Sequence, residues 1–285
     1  MKHLITSMRP KQWIKNLFVF APVLFARSEF SWAHLLTVAA AFAIFCIATG
    51  GIYILNDLND VEVDRGHPVK QDRPIAKGLI SQRRAAFFAI LLMLVSFAAS
   101  FVLDQNFGYL VVAYFVLNIA YTLFLKKLVI VDVIAISIGF IMRVVAGGVV
   151  VHVELSSWLI LCTMLLSLFL GFAKRREEIL IEGVSGREVL KHYTVPFLDQ
   201  MMSISAGACV ISYALYTLAP ETVHKFGTKN LVFTVPFVIY GLFRFLYIIY
   251  IQRANDNPAQ IVCSDRPLLI DLFLWVLSII VILYL

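Results

Sequence analysis

Asn56-Asp57-Leu58-Asn59-Asp60-Val61-Glu62-Val63-Asp64 follows directly on an apolar run from Leu35 to Leu55. A run of that length can cross a bilayer as a helix. If the helix continues, carboxylates at i, i+3 and i+7 (Asp57, Asp60, Asp64) share one of its faces, with Asn56 at the margin. Three crowded carboxylates repel one another unless a hard cation sits among them. Mg²⁺ takes few carboxylates and completes its shell with phosphate oxygens and water. The segment therefore reads as a helix end that holds a metal-bound diphosphate, with Asp57, Asp60 and Asp64 as metal ligands and Asn56 in support. The plainer reading is a solvated helix end with scattered acids. It does not account for the basic loop that follows, with Arg65, His67, Pro68, Lys70, Arg73, Pro74, Lys77 and Gly78, because cations beside a metal-binding face suit a polyphosphate. Lys70, Arg73 and the earlier Lys15 are the candidate phosphate contacts; His67 either bonds a phosphate or shapes the turn with Pro68.

The whole chain has the composition of a membrane protein. Over 285 residues, 61% are hydrophobic and 15% charged, and the mean hydropathy is +0.87, which excludes a water-soluble core. Runs of about 20 apolar residues are read at Ser31–Leu55, Ala85–Leu103, Tyr109–Leu125, Val129–Val151, Leu155–Ala173, Val195–Leu218, Leu231–Ile251 and Pro267–Leu285. A shorter run, Leu17–Ala26, brings the number to about nine and contains Pro22, which favours a broken or tilted segment. No internal repeat or low-complexity tract is present, so residues 1–285 are expected to form a single transmembrane domain.

Lys and Arg are distributed unequally between alternate loops. The N-terminus, the loop after the acidic motif, Lys126-Lys127, the segment from Lys174 to Lys191, and Arg253 with Arg266 fall on one side; the other has Arg27, Lys225 and Lys229. The expected orientation in the inner (plasma) membrane puts the N-terminus and motif loops in the cytoplasm and the C-terminus outside. The first apolar run lacks a small-residue cleavage site and follows Trp13 and Lys15, so no cleavable leader is expected. The net charge of +6 is that of an oriented membrane protein that binds phosphates, so nucleic acid is not an expected partner. Cys46, Cys162, Cys209 and Cys263 are dispersed, and no histidines have zinc-site spacing, which disfavours disulfides and zinc chemistry.

Ionisable groups inside apolar runs need partners. Asp132 and Arg143 lie on one expected helix about 16 Å apart along its axis, too far to pair, and are expected to have structural or supporting roles. Asn118, Tyr121 and Lys126 could line a cavity or bond between helices. Arg244 reads as a helix anchor, and the pairs Gly50-Gly51 and Gly147-Gly148 as points of close helix approach.

The stretch NDLNDVEVDRGHPVKQDRPIAKG resembles the NDxxDxxxD signature of the UbiA superfamily of intramembrane prenyltransferases, including its trailing RP…A.G segment. Four further stretches are similar to the decaprenyl-phosphate phosphoribosyltransferase branch: Arg9 to Asn16 (RPKQWIKN), Gly171 to Glu178 (GFAKRREE), Tyr193 to Gln200 (YTVPFLDQ) and Ser264 to Leu268 (SDRPL). The resemblance implies an all-α, polytopic membrane protein of about nine transmembrane helices around a central cavity open to the cytoplasm. It also implies Mg²⁺ as cofactor, with phosphoribosyl diphosphate and a polyprenyl phosphate as substrates within the lipid bilayer; homo-oligomerisation stays open.

A second region separates the branches. Aromatic prenyltransferases of this superfamily have a second aspartate-rich motif, whereas here Lys174-Arg175-Arg176 come first and the acids Glu177, Glu178, Glu182, Glu188 and Asp199 follow. Lys174, Arg175 and Arg176 suit an anionic phosphate. Glu178 and Glu182 read as a solvated helix face, and Tyr193 and Asp199 complete the expected substrate contacts. Two rivals stand beside phosphoribosyl transfer: prenyl transfer from a diphosphate to an aromatic acceptor, and, more remotely, a transporter.

Overall fold

The structure, a computed structural model, describes residues 2–26, 31–66, 70–182, 188–252 and 258–284. Every regular element among the described residues is helical. Eight helices are long and apolar enough to cross a membrane: Trp32–Asn59, Gln82–Leu103, Gln105–Leu123, Val131–Val150, Ser157–Ile181, Val195–Leu218, Asn230–Tyr250 and Arg266–Tyr284. Each coincides with an apolar run of the sequence. Several begin at side chains that cap free backbone N–H groups: Ser31 accepts from His34, Asp104 from Phe107, Thr194 from Phe197 and Asp265 from Leu268. Their outer faces are apolar. Phe87, Leu94 and Val102 are 70%, 60% and 88% exposed, an arrangement that water penalises and a bilayer does not.

The expected ninth span, Leu17–Ala26, is no single helix. Pro10–Phe20 is a 3₁₀ helix and Ala21–Leu24 a short α-helix. Prolines at positions 10 and 22 remove backbone donors from this segment. A 3₁₀ run of 11 residues is longer than the backbone favours by itself, so tertiary contacts must hold it. Asn16 and Val19 are buried, and the bare Cα of Gly147 admits the Val19 carbonyl: a Cβ there would lie 1.9 Å from that oxygen.

The chain divides into two compact units, the first comprising Met1–Val23, Phe30–Leu123 and Met142–Val153. In it the Trp32–Asn59 helix packs on Gln82–Leu103 and on the 3₁₀ helix. Gly51 sits at the contact with Gln82–Leu103, since a Cβ there would meet Met93 Cγ at 3.0 Å, and Gly50 lies against Met8, ahead of the 3₁₀ helix, where a Cβ would meet Met8 Cε at 2.9 Å. Near the acidic motif, Met8, Ile54, Val61, Ile75, Ile80, Ala85 and Ala89 form a buried cluster with Trp13 against it.

The second unit comprises Leu24–Glu29, Phe124–Ile141 and Glu154–Leu285. Here Ser157–Glu182 packs on Val195–Leu218, and Val235–Tyr250 packs on Arg266–Tyr284. Val133, Phe169, Phe172, Leu198, Met202 and Phe245 fill the core. Arg244 is more than an anchor: its guanidinium donates to both carboxylate oxygens of Asp265, at 3.1 and 2.7 Å. That pairing, opposed by some desolvation and helped by the Leu268 N–H, holds the Asp265 carboxyl below the usual carboxylate range.

Candidate functional site

The acidic motif is where the long first helix ends. Trp32–Asn59 stops at Asp60, whose φ of −99° and ψ of 9° leave the helical region, and a new helix, Val61–Arg65, follows. The Asp60 N–H still bonds Asn56, and the Asp64 N–H bonds Asp60, so the turn is nearly helical but not one straight face. Asp57 and Asp64 are both 2% exposed. One Arg73 nitrogen, Nη1, lies 3.2 Å from Asp57 Oδ1 and 2.5 Å from Asp64 Oδ2. Arg9 also donates to Asp57 Oδ1, while its guanidinium stacks over the Tyr53 ring.

Two of the three expected carboxylates therefore share one cation, and the Oδ1 of the third, Asp60, accepts from Asn59. Asn56 is tied to the Thr122 hydroxyl, which also reaches the Asn118 carbonyl. Among the described residues no three acidic, histidine or cysteine side chains converge in a way that could hold a metal ion. The donors present are all oxygens, and two carboxylates completed by phosphate oxygens are a suitable Mg²⁺ shell. The residues fit a metal that arrives with a diphosphate better than one caged by protein alone.

Lys15 lies on the 3₁₀ helix, Lys70 begins the Lys70–Asp72 turn and Tyr121 lies on Gln105–Leu123; all three are half-buried. His67 lies outside the described residues. Arg143 is 5% exposed and donates to Asn16 Oδ1 at 2.8 Å and to the Tyr114 hydroxyl at 2.6 Å, a structural role in keeping with its distance from Asp132.

In the second unit the Ser157–Glu182 helix continues two turns past its apolar part, so Lys174, Arg175 and Arg176 are helical. Lys, Arg and Glu are good helix formers, and pairs three and four residues apart support the extension. Arg175 is fully buried, donates to Asp132 at 2.6 Å, and pairs with Glu178. The lipid-phosphate contact expected of Arg175 does not fit this enclosure, and Glu178 is buried rather than on a solvated face. Glu182's side chain lies outside the described set. Tyr193 is also turned inward. Its hydroxyl accepts the Ile130 N–H at 2.6 Å and donates to Asp132 Oδ1 at 2.8 Å. Burial above all pushes that hydroxyl's pKa up, so it stays a donor. Ile130 has φ of 68°, a costly setting for a β-branched residue, and Tyr193 holds the turn that follows Lys126. Arg176 donates to Asp199 at 2.6 Å and stacks over Tyr250. Lys174 lies 3.9 Å from Glu178 and is 30% exposed at its side chain; Lys126 is half-buried on Leu125–Lys127.

Sequence reasoning missed Arg9 and Thr122 as partners of the acidic motif. Arg9 had one signal, its place at the head of RPKQWIKN; Thr122 had none beyond standing one residue after Tyr121.

Comparison with known proteins matches residues 17–280 to the UbiA prenyltransferase family. The chain is 34% identical over 287 residues to a decaprenyl-phosphate phosphoribosyltransferase of Mycolicibacterium smegmatis, covering 96% of this chain and 90% of that protein. It is 34% identical over 291 residues to the protein of the same name from Corynebacterium glutamicum, covering 99% and 86%. Among solved structures, a UbiA homolog from Archaeoglobus fulgidus bound to GPP and Mg²⁺ superposes with a TM-score of 0.75 at 18% identity, over 99% of this chain and 100% of that one.

Proposed function

Because the chain belongs to the UbiA prenyltransferase family, we propose that it transfers the 5-phosphoribosyl group of phosphoribosyl diphosphate to a polyprenyl phosphate, releasing diphosphate, in the synthesis of cell-envelope glycolipid precursors. The observation that carries this reading is the enclosed pair Asp57 and Asp64 sharing Arg73, with relatives named for that transfer at 34% identity. Asp57 and Asp64, with Asp60 and Asn56 in support, would hold Mg²⁺ together with the donor's diphosphate. When bound, the metal neutralises charge that gathers on the leaving diphosphate.

Arg9 and Arg73 exchange their carboxylate partners for phosphate oxygens, which Arg's planar fork suits, and Lys15 and Lys70 add charge beside them. The bond from C1 to the diphosphate oxygen breaks as the ribose gains oxocarbenium character. An oxygen of the lipid phosphate forms the new bond to C1 from the opposite face. A phosphate monoester is already an anion near neutral pH, so no general base is needed. Lys126, Lys174 and Arg176 are assigned to the lipid phosphate, Asp199 to orienting Arg176 or meeting a ribose hydroxyl, and Tyr121 to the donor side. Arg175 and Tyr193 act by holding other groups in place. In the plasma membrane the motif loops face the cytoplasm, where activated sugar phosphates are made.

Prenyl transfer to an aromatic acceptor would use the same acidic pair. The test is to incubate purified protein with radiolabelled phosphoribosyl diphosphate, Mg²⁺ and a panel of polyprenyl phosphates, with prenyl diphosphates and 4-hydroxybenzoate in parallel. The expected product is a lipid-linked phosphoribose; label appearing only in the prenylated aromatic would overturn the assignment.

A further inference from the structure

Three side chains from three helices of the second unit each touch the other two. Arg176, on Ser157–Glu182, donates from Nε to Oδ1 of Asp199, on Val195–Leu218, at 2.6 Å. Its guanidinium lies 4.9 Å from the ring centroid of Tyr250, the last residue of Val235–Tyr250. The Tyr250 hydroxyl in turn donates to the Asp199 carboxylate. A guanidinium with one nitrogen bonded and one face covered has lost most of its rotamer freedom before any ligand arrives. Its outer edge is left over: among the described residues Nη1 and Nη2 have no hydrogen-bond partner, and the side chain is 14% exposed. Arg244 in the same unit is the contrast, since Asp265 takes its Nε and Nη2 together.

Two terminal nitrogens in one plane can meet two oxygens of a phosphate at once. A carboxylate beside them competes for the same edge, as the Arg244–Asp265 pair shows. Tyr250 opposes that competition in two ways: its hydroxyl engages the carboxylate, and its ring face holds the guanidinium by cation–π attraction. We propose that Tyr250 is a positioning residue for the acceptor, keeping Arg176 and Asp199 in a single-point pairing that leaves Nη1 and Nη2 for the phosphate of the polyprenyl phosphate. The inference rests on the phosphoribosyl reading and on the assignment of Arg176 to the lipid phosphate, and it gives Asp199 the task of orienting Arg176. A cation already held in place loses less freedom on binding, which is where the gain in affinity comes from.

The test measures KM for polyprenyl phosphate and for phosphoribosyl diphosphate separately, using the full chain in detergent with Mg²⁺. Tyr250→Leu, which loses ring and hydroxyl, should raise KM for polyprenyl phosphate about 3- to 30-fold. Tyr250→Phe, which keeps the ring, should raise it less, by about two- to fivefold, and it keeps the test available should the leucine variant melt early. KM for phosphoribosyl diphosphate should stay within about twofold in both. In an Arg176→Gln background Tyr250→Leu should add about twofold or less, because a residue that acts through Arg176 has nothing left to position. An unchanged KM for the lipid, a rise confined to phosphoribosyl diphosphate, or an effect of Tyr250→Leu as large without Arg176 as with it would each overturn the proposal while leaving the reaction standing. Protein inert toward phosphoribosyl diphosphate but active with a prenyl diphosphate would instead bring down the phosphoribosyl reading, and this role of Tyr250 with it.

Discussion

Arg73 and Arg9 show how a membrane protein gives two enclosed carboxylates cationic partners at the end of a spanning helix. Asp57 and Asp64 are nearly enclosed, and a buried carboxylate needs a partner to stay charged. The guanidinium groups supply it until substrate does. Replacing Asp57 or Asp64 with Asn should lower kcat by about two orders of magnitude or more, with melting in detergent little changed; near-normal Mg²⁺-dependent turnover in a folded Asp57→Asn/Asp64→Asn double variant would remove the metal assignment. Deeper in the second unit, Asp132→Ala takes from fully buried Arg175 the carboxylate that its Nε reaches. Removing one member of a buried pair costs about 3–5 kcal/mol, so this variant should melt markedly earlier than wild type, as thermal denaturation would record. The acidic and basic residues of the site were legible in the sequence because their types and spacing imply ligands. Which carboxylate meets which guanidinium was not: Arg9 lies 48 residues from Asp57, and nothing local in the chain records that distance.

Helices here are placed by glycine contacts and by capping side chains. A Cβ on Gly147 would lie 1.9 Å from a backbone oxygen that no side-chain rotation can move, whereas a Cβ on Gly207 meets nothing within 4 Å. Gly147→Ala should therefore cost several kcal/mol, in the upper range for point substitutions, and Gly207→Ala, in the middle of a helix, should be neutral or stabilise by about 0.5–1 kcal/mol. Equal melting temperatures for the two variants would contradict the close approach. The Arg244–Asp265 pair gives a pH signature. Asp265 titrates lower in the fold than in the unfolded chain, so its stabilising contribution is full above the ordinary carboxylate pKa of about 4 and fades as pH falls through the lowered folded value. An Arg244→Met variant should differ from wild type at neutral pH and converge on it below that range. The eight spans could be read from the sequence because apolar runs of bilayer length have few alternatives. The 3₁₀ helix could not, since its stability comes from Gly147 and other tertiary contacts rather than from its own residues.

Across the molecule, orientation is the property most open to a single measurement. Cys263 is exposed whereas Cys46 and Cys209 are buried. A membrane-impermeant thiol reagent should modify Cys263 from the cytoplasmic face in intact vesicles of known sidedness; reaction from the opposite face alone would invert the topology. Lys and Arg asymmetry is the sequence basis for the expected orientation; the division into two compact units has no such local signal, because it depends on contacts between distant parts of the chain. That division bears on how the protein is made. Asn16 and Tyr114, to which Arg143 donates, precede it in the chain, as Arg9 precedes Asp57, so the ribosome delivers each to a partner already in place. Asp132 has the reverse problem: Arg175 and Tyr193 emerge 43 and 61 residues later. At about 5–20 residues per second, its carboxylate waits several seconds at the head of a membrane helix before its counter-ion exists, an interval in which the insertion machinery, and not the fold, must shelter it.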